Sequence, residues 1–91
     1  MRIFMQTKPV GAGEAPRYLH LILQQDLLGG WSLTREWGQQ GGRASAKREV
    51  YLDRTAAENA MIAARDQQLK KGFAVMFFQG MDAPPGSRYE P

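Results

Sequence analysis

The chain has no cysteine and only one histidine, His20, among its 91 residues. Without thiols there is no disulfide framework and no thiolate metal site, and a single imidazole excludes a His/Cys zinc site as well. The absence of thiols fits a reducing compartment. No stretch approaches the roughly 20 apolar residues that cross a bilayer, and the first residues lack the apolar segment and cleavage pattern of a secretory signal. The expected location is therefore the cytoplasm, without a membrane partner. Asp and Glu are dispersed along the sequence, so a carboxylate cage for magnesium is not expected. No serine or threonine stands in a strained nucleophile turn. Gly41-Gly42-Arg43 lacks the Lys-Ser/Thr ending of a phosphate loop and leads into a strand pattern instead of a helix N-terminus. The composition thus predicts no enzyme, no cofactor and no small-molecule substrate.

Twelve Lys and Arg against nine Asp and Glu give a formal charge of +3 and a pI near 9.6. A balance this mild serves solubility as readily as it attracts an anionic partner. Its distribution is more informative, because Arg43, Lys47 and Arg48 cluster.

Alternation of apolar and polar residues predicts strands over 1–7, 17–25, 31–37 and 45–52. In the second, Leu19, Leu21 and Leu23 share one face and Tyr18, His20 and Ile22 the other. In the third, Trp31, Leu33, Arg35 and Trp37 share a face. Residues 8–16 and 38–44, rich in Gly, read as loops, and 26–30 as a hairpin connection. A helix is expected from about Thr55 to Lys71, with Thr55 and Glu58 at capping-box spacing and Asp53 as a rival cap. Ala57, Ala60, Met61 and Ala64 form its narrow apolar stripe, and Gly72 suits its C′ position. The run 73–78 is apolar on both sides and predicts a central or well-covered strand. Residues 82–91 have the composition of a tail. Strands precede the helix in a block, which predicts one α+β domain over 1–81, a largely antiparallel sheet of four or five strands with one helix on one face.

The segment 29–42 carries both tryptophans between glycine pairs. At the glycine-rich end, Trp37 either stands at the surface as a stacking platform or plugs the core. Beside it, Arg43, Lys47, Arg48 and Tyr51 complete a basic and aromatic strand-loop-strand unit. Rings stack on bases or sugars and cations neutralise phosphates; the same residues also suit a core tryptophan with a solvated charged hairpin.

Several of these residues carry a family resemblance. Gly29-Gly30-Trp31-Ser32-Leu33, then Arg35-Glu36-Trp37-Gly38, the helix from Thr55 through Ala60-Met61, and Lys70-Lys71-Gly72-Phe73 make the run 18–73 similar to the WGR domain. That domain occurs in the poly(ADP-ribose) polymerases and in many small or fused bacterial proteins. The resemblance implies a non-catalytic module that contacts DNA ends or nicks, with Trp37 against sugar or base. Gln39 stands where the signature has arginine, and an amide has neither the charge nor the five-donor fork of a guanidinium. Gln40-Gly41 replaces the usual hydrophobic-Gly pair, Met61 a common aromatic, and Gln68 a usual lysine. The expected nucleic-acid-binding set is Trp37, Gln39, Arg43, Lys47 and Arg48. A protein partner or a homodimer, through the edge of the strand at 73–78, is the alternative expectation.

Overall fold

The computed structural model describes residues 1–8 and 13–80. Along the chain run β1 (Arg2–Thr7), β2 (Arg17–Gln25), β3 (Trp31–Gln39), β4 (Ala44–Tyr51), α1 (Arg54–Lys70) and β5 (Phe73–Gln79). The strands form one antiparallel sheet in the order β4-β3-β2-β1-β5, and α1 packs across one of its faces. This is the expected α+β architecture. The expected tail at 82–91, and part of the expected loop at 8–16, lie outside the described residues.

Burial follows from the alternation. Ile3 and Met5 of β1, Leu19, Leu21 and Leu23 of β2, and Leu33 of β3 point to one side and are buried there with Ala57, Met61 and Ala64 of α1. Alanines let the helix axis approach the sheet, and Met61 fills what the small residues leave. The 17 residues of α1 make a rod of about 25 Å. Of the two possible caps the chain uses Asp53, whose carboxylate accepts from the Ala56 amide at 2.8 Å. Glu58 is instead paired with Arg54 at 2.8 Å. The helix ends as expected, with Gly72 at φ +94° in a conformation that costs a side-chain-bearing residue energy.

Two expectations are corrected. The chain from 73 onward is an edge strand, not a central one. Both edges of β2 and β3 are already occupied, so the segment returning from α1 meets the free edge of β1. Phe73, Val75 and Phe78 pack toward α1, while the register shift between Phe4 and Met5 leaves Met76 and Phe77 exposed. The second correction concerns β3, which does not end at Trp37 but continues through Gly38 and Gln39. Gly38 is no hinge. A Cβ there would lie 2.5 Å from the Arg43 carbonyl oxygen across the β3–β4 hairpin, so glycine is required by close backbone approach. The turn itself falls later, with Gly41 at φ +79°.

The other face of the sheet is not covered by α1. It carries Phe4 stacked on Tyr18, centroids 5.9 Å apart, and set edge-on to His20 at 5.8 Å. Burial first, then the Arg2 guanidinium, hold the His20 imidazole below its ordinary value of 6.5, against the pull of Glu36.

Gly38→Ala is expected to push β3 and β4 apart at this point and to lower stability by about 1–3 kcal/mol, in the range of overpacked sites; a urea unfolding curve measures it. For His20 the native state favours the neutral ring, so the unfolded chain takes up the proton first. Stability should therefore fall as the pH drops through 6.5 toward the lower native value. Thermal melts across this range should show the decline, and His20→Gln should flatten it.

Candidate nucleic-acid interface

The antiparallel register sets the side chains of the helix-covered face in rows across the sheet. One row reads Lys47, Arg35, Leu21, Ile3, Phe78; the next reads Ser45, Trp37, Leu19, Met5, Val75. Arg17 and Gln39 face each other in the row beyond. The middle of these rows is the core. Their β3–β4 ends reach past the helix and form a cleft of about 270 Å³, lined by Arg17, Arg35, Trp37, Lys47, Gln68 and Phe73 among others.

Two tryptophans on one strand face meet opposite fates here. Six residues of strand separate them by about 20 Å, close to the length of α1, so one lies at each end of the helix. Trp31 is half-buried against the core near the N-terminus of α1, with the Arg54 guanidinium 5.4 Å from its ring centroid. Trp37 lies near the last turns, against Ala64 and Gln68 in the cleft, and stays 40 % exposed. The ring is thus reachable by solvent rather than sealed in the core.

Charge is arranged unevenly around it. Arg35 and Lys47 stand directly opposite each other on paired strands, a like-charge juxtaposition that costs energy. Glu49 relieves part of it, lying 2.8 Å from Arg35. That contact is an ion pair and not a well-aligned hydrogen bond, and the buried Nε of Arg35 donates to no partner among the described residues. Lys47 and Arg17 have no carboxylate within ion-pair distance among the described residues. Among the described residues that line it, the cleft thus carries three cations, Arg17, Arg35 and Lys47, and no carboxylate, with Glu49 reaching only Arg35. The helix offers it a C-terminal end, not the anion-binding N-terminus, so attraction for an anion comes from side chains alone.

The five residues expected to bind nucleic acid are not gathered in one place. Trp37 and Lys47 line the cleft. Arg43 lies exposed just before β4, at the hairpin end beside Gly38. Gln39 is engaged elsewhere, its Nε2 donating to the Ala15 carbonyl at 3.1 Å, where it ties the strand end to the preceding loop. Arg48 faces the opposite side of the sheet, across from Thr34; strand alternation separates it from its neighbour Lys47. Arg17 and Arg35 were missing from the expected set. Both could have been found by pairing 17–25 with 31–39 about the 26–30 turn, a register that puts Leu23 on Leu33 and Arg17 on Gln39.

Among the described residues, no three His, Cys, Asp or Glu side chains gather as a metal site, and no helix is long and apolar enough to cross a membrane. Comparison with protein-family profiles, curated proteins and solved structures gave no match for this chain.

Replacing Glu49 by Gln leaves Arg35 and Lys47 facing each other without a counter-charge. The variant should lose about 1 kcal/mol at low salt, the size of a half-exposed ion pair. High salt should restore most of the loss by screening the repulsion, as read from urea midpoints at the two salt concentrations.

Proposed function

We propose that the chain is a non-catalytic nucleic-acid-binding module of the WGR kind, acting without sequence preference at duplex ends or nicks, in the cytoplasm. The observation that carries this reading is the half-exposed Trp37 ring set in a cleft with Arg17, Arg35 and Lys47. An indole in such a place offers its face to a terminal sugar or base. Phosphates on either side would lie against Lys47 and Arg17, with Arg43 at the hairpin end extending the positive track. The one described helix buries its apolar stripe on the sheet, which leaves no element of the groove-reading kind and favours binding through the phosphate backbone. On this reading Gln39 serves to tie the end of β3 to Ala15, and the charge at the site comes from Arg17, Arg35 and Lys47.

A second reading, as a protein-interaction or self-pairing module, draws on one observation. Edge strand β5 carries no charged residue and exposes Met76 and Phe77, whereas the opposite edge, β4, is guarded by Lys47, Arg48 and Glu49. Uncharged edges invite pairing with another chain.

Fluorescence anisotropy of labelled blunt and nicked duplexes tests the first reading. Affinity should fall with salt with a logarithmic slope of about −2 to −3, for two or three neutralised phosphates. Lys47→Gln should reduce that slope by about one. Trp37→Ala should weaken binding roughly fivefold or more while melting near the parent. Affinity indifferent to salt, or a Trp37→Ala variant as unstable as a core truncation such as Leu21→Ala (about 2–5 kcal/mol), would sink the reading.

A further inference from the structure

The sheet face opposite α1 carries its own ordered set of side chains. Read across the strands, one row is Ala46, Glu36, His20, Phe4, Phe77. On one side of it lies Arg48, Thr34, Ile22, Arg2, Gln79, and on the other Ala44, Gly38, Tyr18, Gln6, Ala74. Four rings, those of Phe4, Tyr18, His20 and Phe77, thus occupy adjacent positions. Small residues border them: Ala44, Ala46, Gly38 and Ala74. Nothing bulky overhangs the rings from these positions. Phe77 is 48 % exposed, and Phe4 and Tyr18 are already fixed by mutual stacking.

At the end of this face lies a hollow of about 260 Å³, with Phe4 and Tyr18 on one side and Gln39, Gln40, Gly41 and Gly42 on the other. The Gln40 amide donates to Gln6 Oε1 at 3.1 Å. This contact orients two amides at the rim and leaves Gln6 a donor group and Gln40 an acceptor for something else. Gly41 and Gly42 keep the hairpin tip free of side chains above the hollow.

Flat rings, a rim of amides and two arginines in the adjoining row suit a planar heteroaromatic group attached to an anionic backbone. We propose that this face is a platform for the unpaired bases of single-stranded nucleic acid, separate from the Trp37 cleft and on the other side of the sheet. Bases stack on Phe77, Phe4 and Tyr18, one of them entering the hollow against Gln40, and phosphates follow Arg2 and Arg48. Glu36 is the only carboxylate in these three rows, and it lies toward His20, 3.9 Å from Nδ1, away from Phe77. A second copy stacked face to face fits less well. Face-to-face packing would take the charges of Arg2, Arg48 and Glu36 and the amides of Gln6 and Gln79 of both copies out of water.

The test uses the full chain and a labelled oligothymidine as the single-stranded probe, read by anisotropy. The single strand should bind, and Phe77→Ser and Phe4→Leu should each weaken it by roughly five- to 150-fold, the range of lost base–aromatic stacks. Phe77→Ser alters an exposed edge residue, and Phe4→Leu keeps most of the side-chain volume, so both variants should melt as folded domains. Lys47→Glu, on the opposite face, should leave single-strand affinity within about twofold while reducing duplex affinity, which separates this platform from the cleft. The proposal is overturned if oligothymidine does not bind. It is equally overturned if both aromatic variants bind it like the parent, or if its affinity is lost only with Lys47→Glu. Sedimentation equilibrium adds one further check: a dimer that Phe77→Ser dissociates would show that a second copy, not nucleic acid, occupies the face.

Discussion

The close approach of α1 to the leucine rows of β2 and β3 governs this structure. It is possible because the helix presents Ala57 and Ala64 where larger residues would hold it off, with Met61 between them as the one deep side chain. The apolar stripe is narrow and the helix is only about as long as β3. A single layer of this size buries Leu21, Leu33, Ile3 and Met5 almost completely. It cannot also cover both ends of the sheet. One end is closed by Trp31 and Arg54; the other stays open at Trp37. The cleft is therefore what remains of a sheet face after its helix has been placed.

Charge around that cleft shows a compromise of a recognisable kind. A fold selected only for stability has little reason to set Arg35 against Lys47 and then supply one carboxylate for the pair. In the proposed reading, an anionic partner would relieve the repulsion that Glu49 leaves. The same contrast separates the sheet edges. β4 is charged and stands beside the cleft, whereas β5 is apolar and stands beside the open face. The two faces of one sheet thus present different chemistry, with isolated indole and cations on one and clustered rings and amides on the other. Fold alone assigns neither role; the side chains at each location carry the functional reading.

Much of this was legible from residue order. Alternation in 17–25 named both faces of β2 correctly, because a strand buried on one side must repeat every second residue. The alanine stripe, Gly72 and the candidate caps bounded α1 to within two residues. Pattern could not decide between Asp53 and Thr55, since both have the right side chain and spacing; the choice depends on where β4 releases the chain. Gly38 misled for a physical reason. Glycine permits a hinge and also permits two backbones to crowd together, and only the neighbouring strand tells which is in force.

By itself, then, the order of residues determined the α+β class, the strand faces, the helix stripe and the nearness of Trp37 to basic residues. Those are local properties, set by side-chain period and turn chemistry. The tertiary structure alone decided that Arg48 and Lys47 part company, that Arg17 and Arg35 join Trp37, that Gln39 is held by Ala15, and that β5 takes an edge. Each of these depends on which strand lies beside which and on where a helix of fixed length stops, and neither is written in any short stretch of the chain.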